Sequence, residues 1–457
     1  KLGIRSNRRW ELMATILFVI LDTASHLNAS FKMAHALQSR SHQIVYLGKP
    51  SSEELIKQQG FDFFVRSEDF QPEIIAGKVD NTEDVKAIME ENFLGNNLFE
   101  EVISEYKPGL ILLDTSLIYY SVHLLERDIP VITISTKVCQ DKTAFVPPFQ
   151  SGFVPYKRNI LTWLKVESIW TVHLLRKQWK NYLDNANPVQ ISWVYLVKKY
   201  LKRKVTKVGL RMNLKRSSHF GLENTPELIL SPRHFDFSRS IPKNQMYMGP
   251  VVDVNRKEDP NELAQIENIL SANHKTVYCA MGSYDIRHRM DRAKFFVKLI
   301  NIFLLHKSWR LVISLGKDLD PSGFTSVPDN VFLFQTVPQL YVIKQADLVI
   351  CHGGMQTITE CILLQTPLLV FPLNQELDQP GNAARVEYHK IGLRGNLKRD
   401  KPKVIEDKIN KLLCNKDYYE NNIKHLKREM LDSGDFDMGI KFIESYMQRH
   451  SSIHEQV

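Results

Sequence analysis

The residues best suited to chemistry fall into two groups, and the denser one runs from Asp347 to Glu360. An apolar run ends there at Cys351, His352 follows, Gly353 and Gly354 permit a tight turn, and helical spacing begins near Met355. The unpaired N–H groups of a helix start, with its partial positive charge, attract anions. His352 adds a ring N–H and Thr357 a hydroxyl. Glu360, one turn beyond Thr357 on the same helix face, can accept from a ribose diol. The set reads as a site for a diphosphate joined to a ribose. A plain strand–helix junction, with Thr357 as a cap and Glu360 on a wet face, uses the same letters, but His, Thr and Glu at these offsets favour the ligand. Two further loops follow apolar runs: Met281-Gly282-Ser283 offers a turn and a hydroxyl, and Asp378-Gln379 offers a carboxylate and an amide suited to sugar hydroxyls.

The second group is His26, in the loop expected after the first apolar run, and Asp114, which closes the run Leu110–Leu113. An imidazole in a cleft can act as a general base near pH 7. A carboxylate on its other nitrogen fixes the tautomer and stabilises the imidazolium. Taken alone, His26 is more plainly a loop or capping histidine, and Asp114 can be a helix N-cap.

Both groups need elements that end where they begin. Strands are expected over Thr15–Leu21, Gln43–Leu47, Leu110–Leu113 and Val131–Ser135, with helices over 28–40, 85–106 and after Thr115. A second series runs through Thr276–Met281, Arg310–Leu315, Val331–Phe334, Leu348–Cys351 and Pro367–Phe371. Short apolar runs alternating with helices predict parallel sheets with crossover helices. Two such series predict an α/β protein of two doubly wound domains, with the ligand in the cleft at the strands' carboxyl ends. The expected divisions are 13–235 for the first domain, 236–262 for a connection rich in Pro and charge, and 263–430 for the second domain. Residues 431–457 form a C-terminal helix and tail able to return to the first domain.

At 457 residues, 43% of them hydrophobic, the chain can build sizeable cores, which excludes a fibrous or disordered protein. Its five cysteines are odd in number and none are in CxxC spacing, so neither a disulfide framework nor a zinc cluster is expected, and the reading is cytoplasmic. The net charge of +9 is local: residues 176–216 carry twelve basic side chains against Asp184 alone, and the first twelve residues are also basic. No nucleic-acid partner is expected from charge so confined. The run Leu12–Leu21 imitates a signal peptide, but its β-branched content and the bounding Asp22 suit a buried first strand. Met13 then reads as the natural start and residues 1–12 as an appended leader. Asp318-Leu-Asp320 imitates a metal-binding triplet and reads as a polar turn.

One ordered series of residues spans nearly fifty positions: Val337-Pro338-Gln339, His352-Gly353-Gly354, Thr357, Glu360, Pro367, Pro372, Asp378-Gln379, Asn382-Ala383 and Arg385-Val386. It resembles the donor-binding signature of family 1 nucleotide-sugar-dependent glycosyltransferases. These are GT-B enzymes, and they include plant flavonoid, bacterial antibiotic and carotenoid glycosyltransferases. The resemblance runs from residue 14 to about residue 445. It implies two facing Rossmann-like domains, the first binding the acceptor and the second the donor. It also implies that Val337 and Gln339 meet the base and Glu360 the ribose. Ser283, His352, Gly354, Gln356 and Thr357 would meet the diphosphate, Asp378 and Gln379 the transferred sugar, and His26 with Asp114 would form the catalytic pair. The chain departs from the pattern at Thr336, where the family stacks the base on a Trp, and in the loop from Pro372 to Asp378, two residues longer than usual. Uridine and thymidine donors therefore both stay open.

The implied activity is inverting, metal-independent transfer of a hexose from a UDP- or dTDP-sugar to a hydroxyl of a small apolar or aromatic acceptor such as a flavonoid. A bacterial enzyme with no cofactor beyond this co-substrate is expected. Phe145, Phe149, Phe153, Trp163 and Trp170 suit such an acceptor and equally suit a core. Within 176–216, Trp193, Val197, Tyr200 and Leu201 follow helical spacing among lysines. That segment reads as a roof over the acceptor pocket or as a peripheral contact with the inner face of a membrane. A membrane-associated lipid or glycan transferase and a nucleotide-sugar epimerase fit the same scaffold. A non-catalytic sugar-nucleotide-binding protein is the reading of another class.

Overall fold

In the computed structural model, which describes residues 13–65, 99–124, 127–186, 202, 211–216, 221–254, 256, 258, 260–270, 274–282 and 286–454, two wholly parallel sheets organise the chain. The first contains β1 (Thr15–Val19), β2 (Gln43–Gly48), β3 (Asp62–Val65), β4 (Leu110–Asp114) and β5 (Val131–Ser135). After a small antiparallel hairpin of β6 (Arg211–Asn213) and β7 (Gly221–Glu223), it is completed by β8 (Glu227–Pro232) and β9 (Gln245–Gly249), in the order β3-β2-β1-β4-β5-β8-β9. The second contains β10 (Lys275–Ala280), β11 (Trp309–Ser314), β12 (Val331–Phe334), β13 (Leu348–Cys351), β14 (Leu368–Val370) and β15 (Gly392–Arg394), in the order β12-β11-β10-β13-β14-β15. The fold is two Rossmann-like halves.

The central strands are apolar on both faces through their middle positions because both faces are covered. Ile16 and Phe18 of β1 pack with Leu27, Phe31 and Met33 of α1 (Ala24–Gln38), while Leu17 and Val19 pack on the other face with Phe99, Val102 and Leu117. In the second sheet Cys279, Ile313 and Ile350 meet Phe295, Leu299 and Phe303 of α3 (Arg289–Leu304). Tyr278, Val312 and Val349 face Val342 and Ile343 of α4 (Gln339–Gln345) and Ile358 and Cys361 of α5 (Met355–Leu364). Of the remaining helices, α2 (Ile160–Ala186) follows β5 in the chain and α6 (Gln379–Tyr388) follows β14. The last helix, α7 (Asp435–His454), follows Gly434 and buries Ile440, Ile443 and Met447 in the core of the first domain, where Glu444 pairs with Arg40 at 2.8 Å.

Several elements differ from the sequence expectation. The first sheet continues through β8 and β9, so β9 lies inside the 236–262 stretch expected as a connection. Glu227 disguised β8: it is a buried carboxylate held by both terminal nitrogens of Arg216 at 2.6 and 2.8 Å, a pairing that a hydropathy pattern cannot register. The first helix starts at Ala24 rather than 28, and the stretch after Thr115 is a 3₁₀ turn (Thr115–Tyr120) before a short helix (Ser121–Leu124). Of the helix expected over 85–106, only Glu100–Tyr106 is described. The leader 1–12 and the helix expected around Trp193 to Leu201 lie outside the described residues.

Candidate active site

Each sheet reverses its strand order once, between β1 and β4 and between β10 and β13. Crevices at such switch points hold ligands in open parallel sheets. In register, Val19 lies opposite Leu113 and Ala280 opposite Cys351, so the segments leaving these four strands emerge in adjacent pairs. One pair brings His26 to Asp114. The other brings the Met281-Gly282 turn to the His352-Gly353-Gly354 turn. A cavity of about 330 Å³ joins the two, lined by His26 and Ser116 from the first domain and His352, Gly354, Gln356, Thr357, Asp378 and Gln379 from the second.

His26 sits in the first turn of α1, not in a loop, with its side chain 15% exposed. Its Nδ1 lies 2.6 Å from Asp114 Oδ2. Asp114 is 1% exposed; its Oδ2 also accepts from the Leu21 N–H at 3.3 Å, and its Oδ1 accepts from the Ser116 N–H at 2.8 Å, capping the 3₁₀ turn. The capping and pairing roles thus coexist on one side chain. Burial works against the charge of Asp114, but His26 and the two N–H groups outweigh it and hold the carboxyl below its ordinary range. An ionised Asp114 keeps the proton of His26 on Nδ1, which leaves Nε2 as the acceptor on the cleft side.

On the opposing side, Gly353 has φ +94, and a Cβ there would lie 2.9 Å from Val370 Cγ1 and 3.1 Å from the Gln379 carbonyl oxygen. Only glycine fits this turn. It folds the chain back so that Gly354 caps α5, whose first-turn N–H groups open toward the cavity beside Gln356 and Thr357. The His352 ring lies against Gly282 and Gly354. Asp378 accepts from the Asn382 side-chain amide at 2.8 Å across the start of α6.

Other expected site residues are placed differently. Glu360 is fully buried, ion-paired with Arg256 at 2.6 Å and accepting from Gln339 Nε2 at 2.5 Å. Gln339 also accepts from the Tyr278 hydroxyl at 3.3 Å. Sequence reasoning missed Arg256, whose neighbours in sequence carry no motif. Glu258, two residues on, accepts from the Leu340 N–H at the start of α4. Gln379 lines the cavity, yet its Oε1 is engaged by the N–H groups of Leu373 and Asn374, both at 2.8 Å, so it shapes the sugar-side loop. Val337 packs against the core below α4, and Ser283 lies outside the described residues. The aromatics expected for an acceptor do not line this cavity: Trp170 is core, donating to the Val146 carbonyl at 2.8 Å, and Phe149 is buried. Lys137 and Thr136, at the end of β5, do line it and were not anticipated.

Asp318 pairs with the buried Arg292, and Asp320 accepts from the Ser322 N–H at 2.8 Å, so this triplet is spent on local structure. A buried charge cluster ties the two domains behind the cleft. Asp236 accepts from Arg385 Nε and Nη2 at 2.9 and 2.7 Å and from the Tyr247 hydroxyl at 2.6 Å. Burial disfavours the Asp236 charge, but Arg385 and Arg239 overcome that and lower its pKa.

Residues 322–434 match the glycosyltransferase family 28 C-terminal domain. NDP-glycosyltransferase YjiC of Bacillus subtilis (strain 168) is 19% identical over 439 residues, 95% of this chain and 97% of that protein. Oleandomycin glycosyltransferase of Streptomyces antibioticus is 35% identical over 109 residues, 24% of each chain. Among solved structures, the glycotransferase of kitacinnamycin superposes with a TM-score of 0.67 at 20% identity, covering 95% of this chain and 99% of that one. Glycosyltransferase VinC in complex with dTDP does so with a TM-score of 0.60 at 14% identity, covering 95% and 100%. The fold is thus that of the GT-B glycosyltransferases, residues 322–434 carry a glycosyltransferase C-terminal domain, and the chain is similar nearly end to end to an NDP-glycosyltransferase.

Proposed function

We propose that the chain transfers a hexose from a UDP- or dTDP-sugar to a hydroxyl of a small apolar or aromatic acceptor, by a single inverting displacement that needs no metal. The observation that carries this is the His26–Asp114 pair facing the α5 start and His352 across one cavity. His26 Nε2 takes the acceptor hydroxyl proton as the oxygen bonds to the anomeric carbon. The bond from that carbon to the diphosphate oxygen breaks, and its electron pair leaves with the nucleoside diphosphate. The transition state is oxocarbenium-like. The α5 N–H groups, His352 and Thr357 meet the charge developing on the leaving group, a task that fixed donors perform without reorganisation. Asp114 stabilises the imidazolium until its proton passes to solvent. Relatives named for oleandomycin and kitacinnamycin support a small natural-product acceptor, and the dTDP complex of VinC supports a thymidine donor beside a uridine one.

The test is a panel of UDP- and dTDP-hexoses against flavonoid, macrolide and lipid acceptors, comparing wild type with His26→Ala. The proposal expects turnover with at least one pair, undiminished by chelator, and a fall of about 10²–10⁴-fold in the variant. Equal turnover by both proteins overturns the role of His26. Loss of activity in chelator overturns the metal-free displacement. Conversion of the donor without acceptor favours an epimerase.

A further inference from the structure

We propose that α2 is a docking face for an anionic lipid surface. The helix is apolar on two opposite sides. One side is core: Val166 and Trp170 are both 0% exposed. On the other, Leu161, Leu164, Val172, Leu175, Trp179 and Tyr182 are between 47% and 72% exposed. At about 100° per residue these six fall on one stripe roughly 32 Å long, with Ser168 in its middle. Single exposed apolar residues are ordinary, whereas a contiguous stripe of this length marks a surface that is covered in use. The stripe is separate from the cleft cavity, whose lining comes from other elements, so the acceptor does not account for it.

Charge selects the occupant. Lys165, Arg176 and Lys180 project along one edge of the stripe, where long cationic side chains can reach anionic headgroups while their stems stay on apolar surface. Glu167 is turned to the other edge and held by Lys142 at 2.6 Å. Beyond Lys180, residues 181–216 hold nine more basic side chains against Asp184 alone, of which Arg216 is buried on Glu227. Such a concentration attracts an anionic surface and repels a second copy of itself, which disfavours pairing of two stripes. Trp179 and Tyr182, with rings 5.8 Å apart, stand at the end nearest this basic segment, as residues that prefer the membrane–water boundary. Among the described residues no helix is long and apolar enough to cross a membrane, so the contact is that of a helix lying in the interface.

The experiment is co-sedimentation of the full chain with phosphatidylcholine vesicles and with vesicles containing about 30 mol % phosphatidylglycerol. At least tenfold tighter binding to the anionic vesicles is expected, weakened by salt. Leu175→Glu/Trp179→Glu and, separately, Lys165→Glu/Arg176→Glu should each lose about tenfold or more of that binding. Ser168→Asp places a charge on the stripe without removing an apolar contact, and should act in the same direction. Thermal midpoints and nucleoside diphosphate binding should be unchanged in all three, because these side chains are exposed and remote from the cleft. Absence of binding to anionic vesicles overturns the proposal. So does binding that all three variants retain. Concentration-dependent dimerisation abolished by Leu175→Glu/Trp179→Glu, without vesicle binding, assigns the stripe to a second copy instead.

Discussion

Replacing Asp114 by Asn separates the catalytic pair from everything else the side chain does. The substitution preserves shape, and the amide oxygen can still accept from the Ser116 N–H. Its NH₂ then faces both the Leu21 N–H and His26 Nδ1, where Oδ2 had accepted at 3.3 and 2.6 Å. Two donors cannot share that space, so the ring must turn its proton to Nε2 and present Nδ1 to the amide. Nε2 is then a donor toward the cleft, and the general base is gone. Loss of base catalysis costs about 10²–10⁴ in kcat, or roughly 3–5 kcal/mol of barrier. The Leu21 N–H, left facing another donor, costs about 1–3 kcal/mol of stability. Donor binding should not move, since the diphosphate side comes from the second domain. Steady-state turnover, urea unfolding and calorimetric titration of nucleoside diphosphate measure the three quantities. A turnover within threefold of wild type, with the protein folded, would refute the role given to Asp114. A loss of donor affinity as large as the loss of turnover would refute the separation of the two sides.

Three further perturbations test the frame around the cleft. Arg256→Met leaves the Glu360 carboxylate buried without its cation and should cost about 3–5 kcal/mol in urea unfolding; Arg256→Met/Glu360→Gln should recover most of it, because neutralising both partners removes the stranded charge. Gly381→Ala puts a Cβ 1.7 Å from the Phe149 carbonyl oxygen, across the contact between α6 and the first domain, and should cost about 1–3 kcal/mol while raising the acceptor KM more than the donor KM. His389, with Nε2 3.0 Å from the Phe235 carbonyl, has its pKa pushed down to about 4 by burial, so it folds neutral. The unfolded chain takes up this proton below about pH 6.5. Its contribution is therefore fully present above that pH and falls away toward pH 4, by up to about 3 kcal/mol. His389→Phe, which keeps the ring against Phe235, should flatten the pH dependence of the unfolding free energy across that window.

The donor side was legible because its chemistry is local. His352, the two glycines and Thr357 fall within the short stretch 352–357 at one strand end, where a short window fixes the turn, the cap and the helix start together. The pairing of His26 with Asp114 was legible only through resemblance, since 88 residues separate them and only the parallel β1–β4 register brings them together. Arg256 carried no local signal at all, because it acquires its meaning from Glu360 on another element, and Lys137 gains its place only from the cavity that several elements close around it. Gln339 and Gln379 have internal partners that are hidden for a related reason. Their types suit ligand binding, but Glu360 and the N–H groups of Leu373 and Asn374 already engage them. Glu227 in β8 shows the same limit for the fold: a charged residue breaks an apolar run until its Arg216 partner is known.

In the proposed reaction an oxygen activated by His26 enters opposite a diphosphate held at the α5 start. The anomeric configuration of the first product reports this geometry. With an α-linked nucleotide hexose and any acceptor the enzyme turns over, proton NMR during the first turnovers should show the β-glycoside alone. An α-glycoside would contradict a single displacement and require a second nucleophile in the cleft.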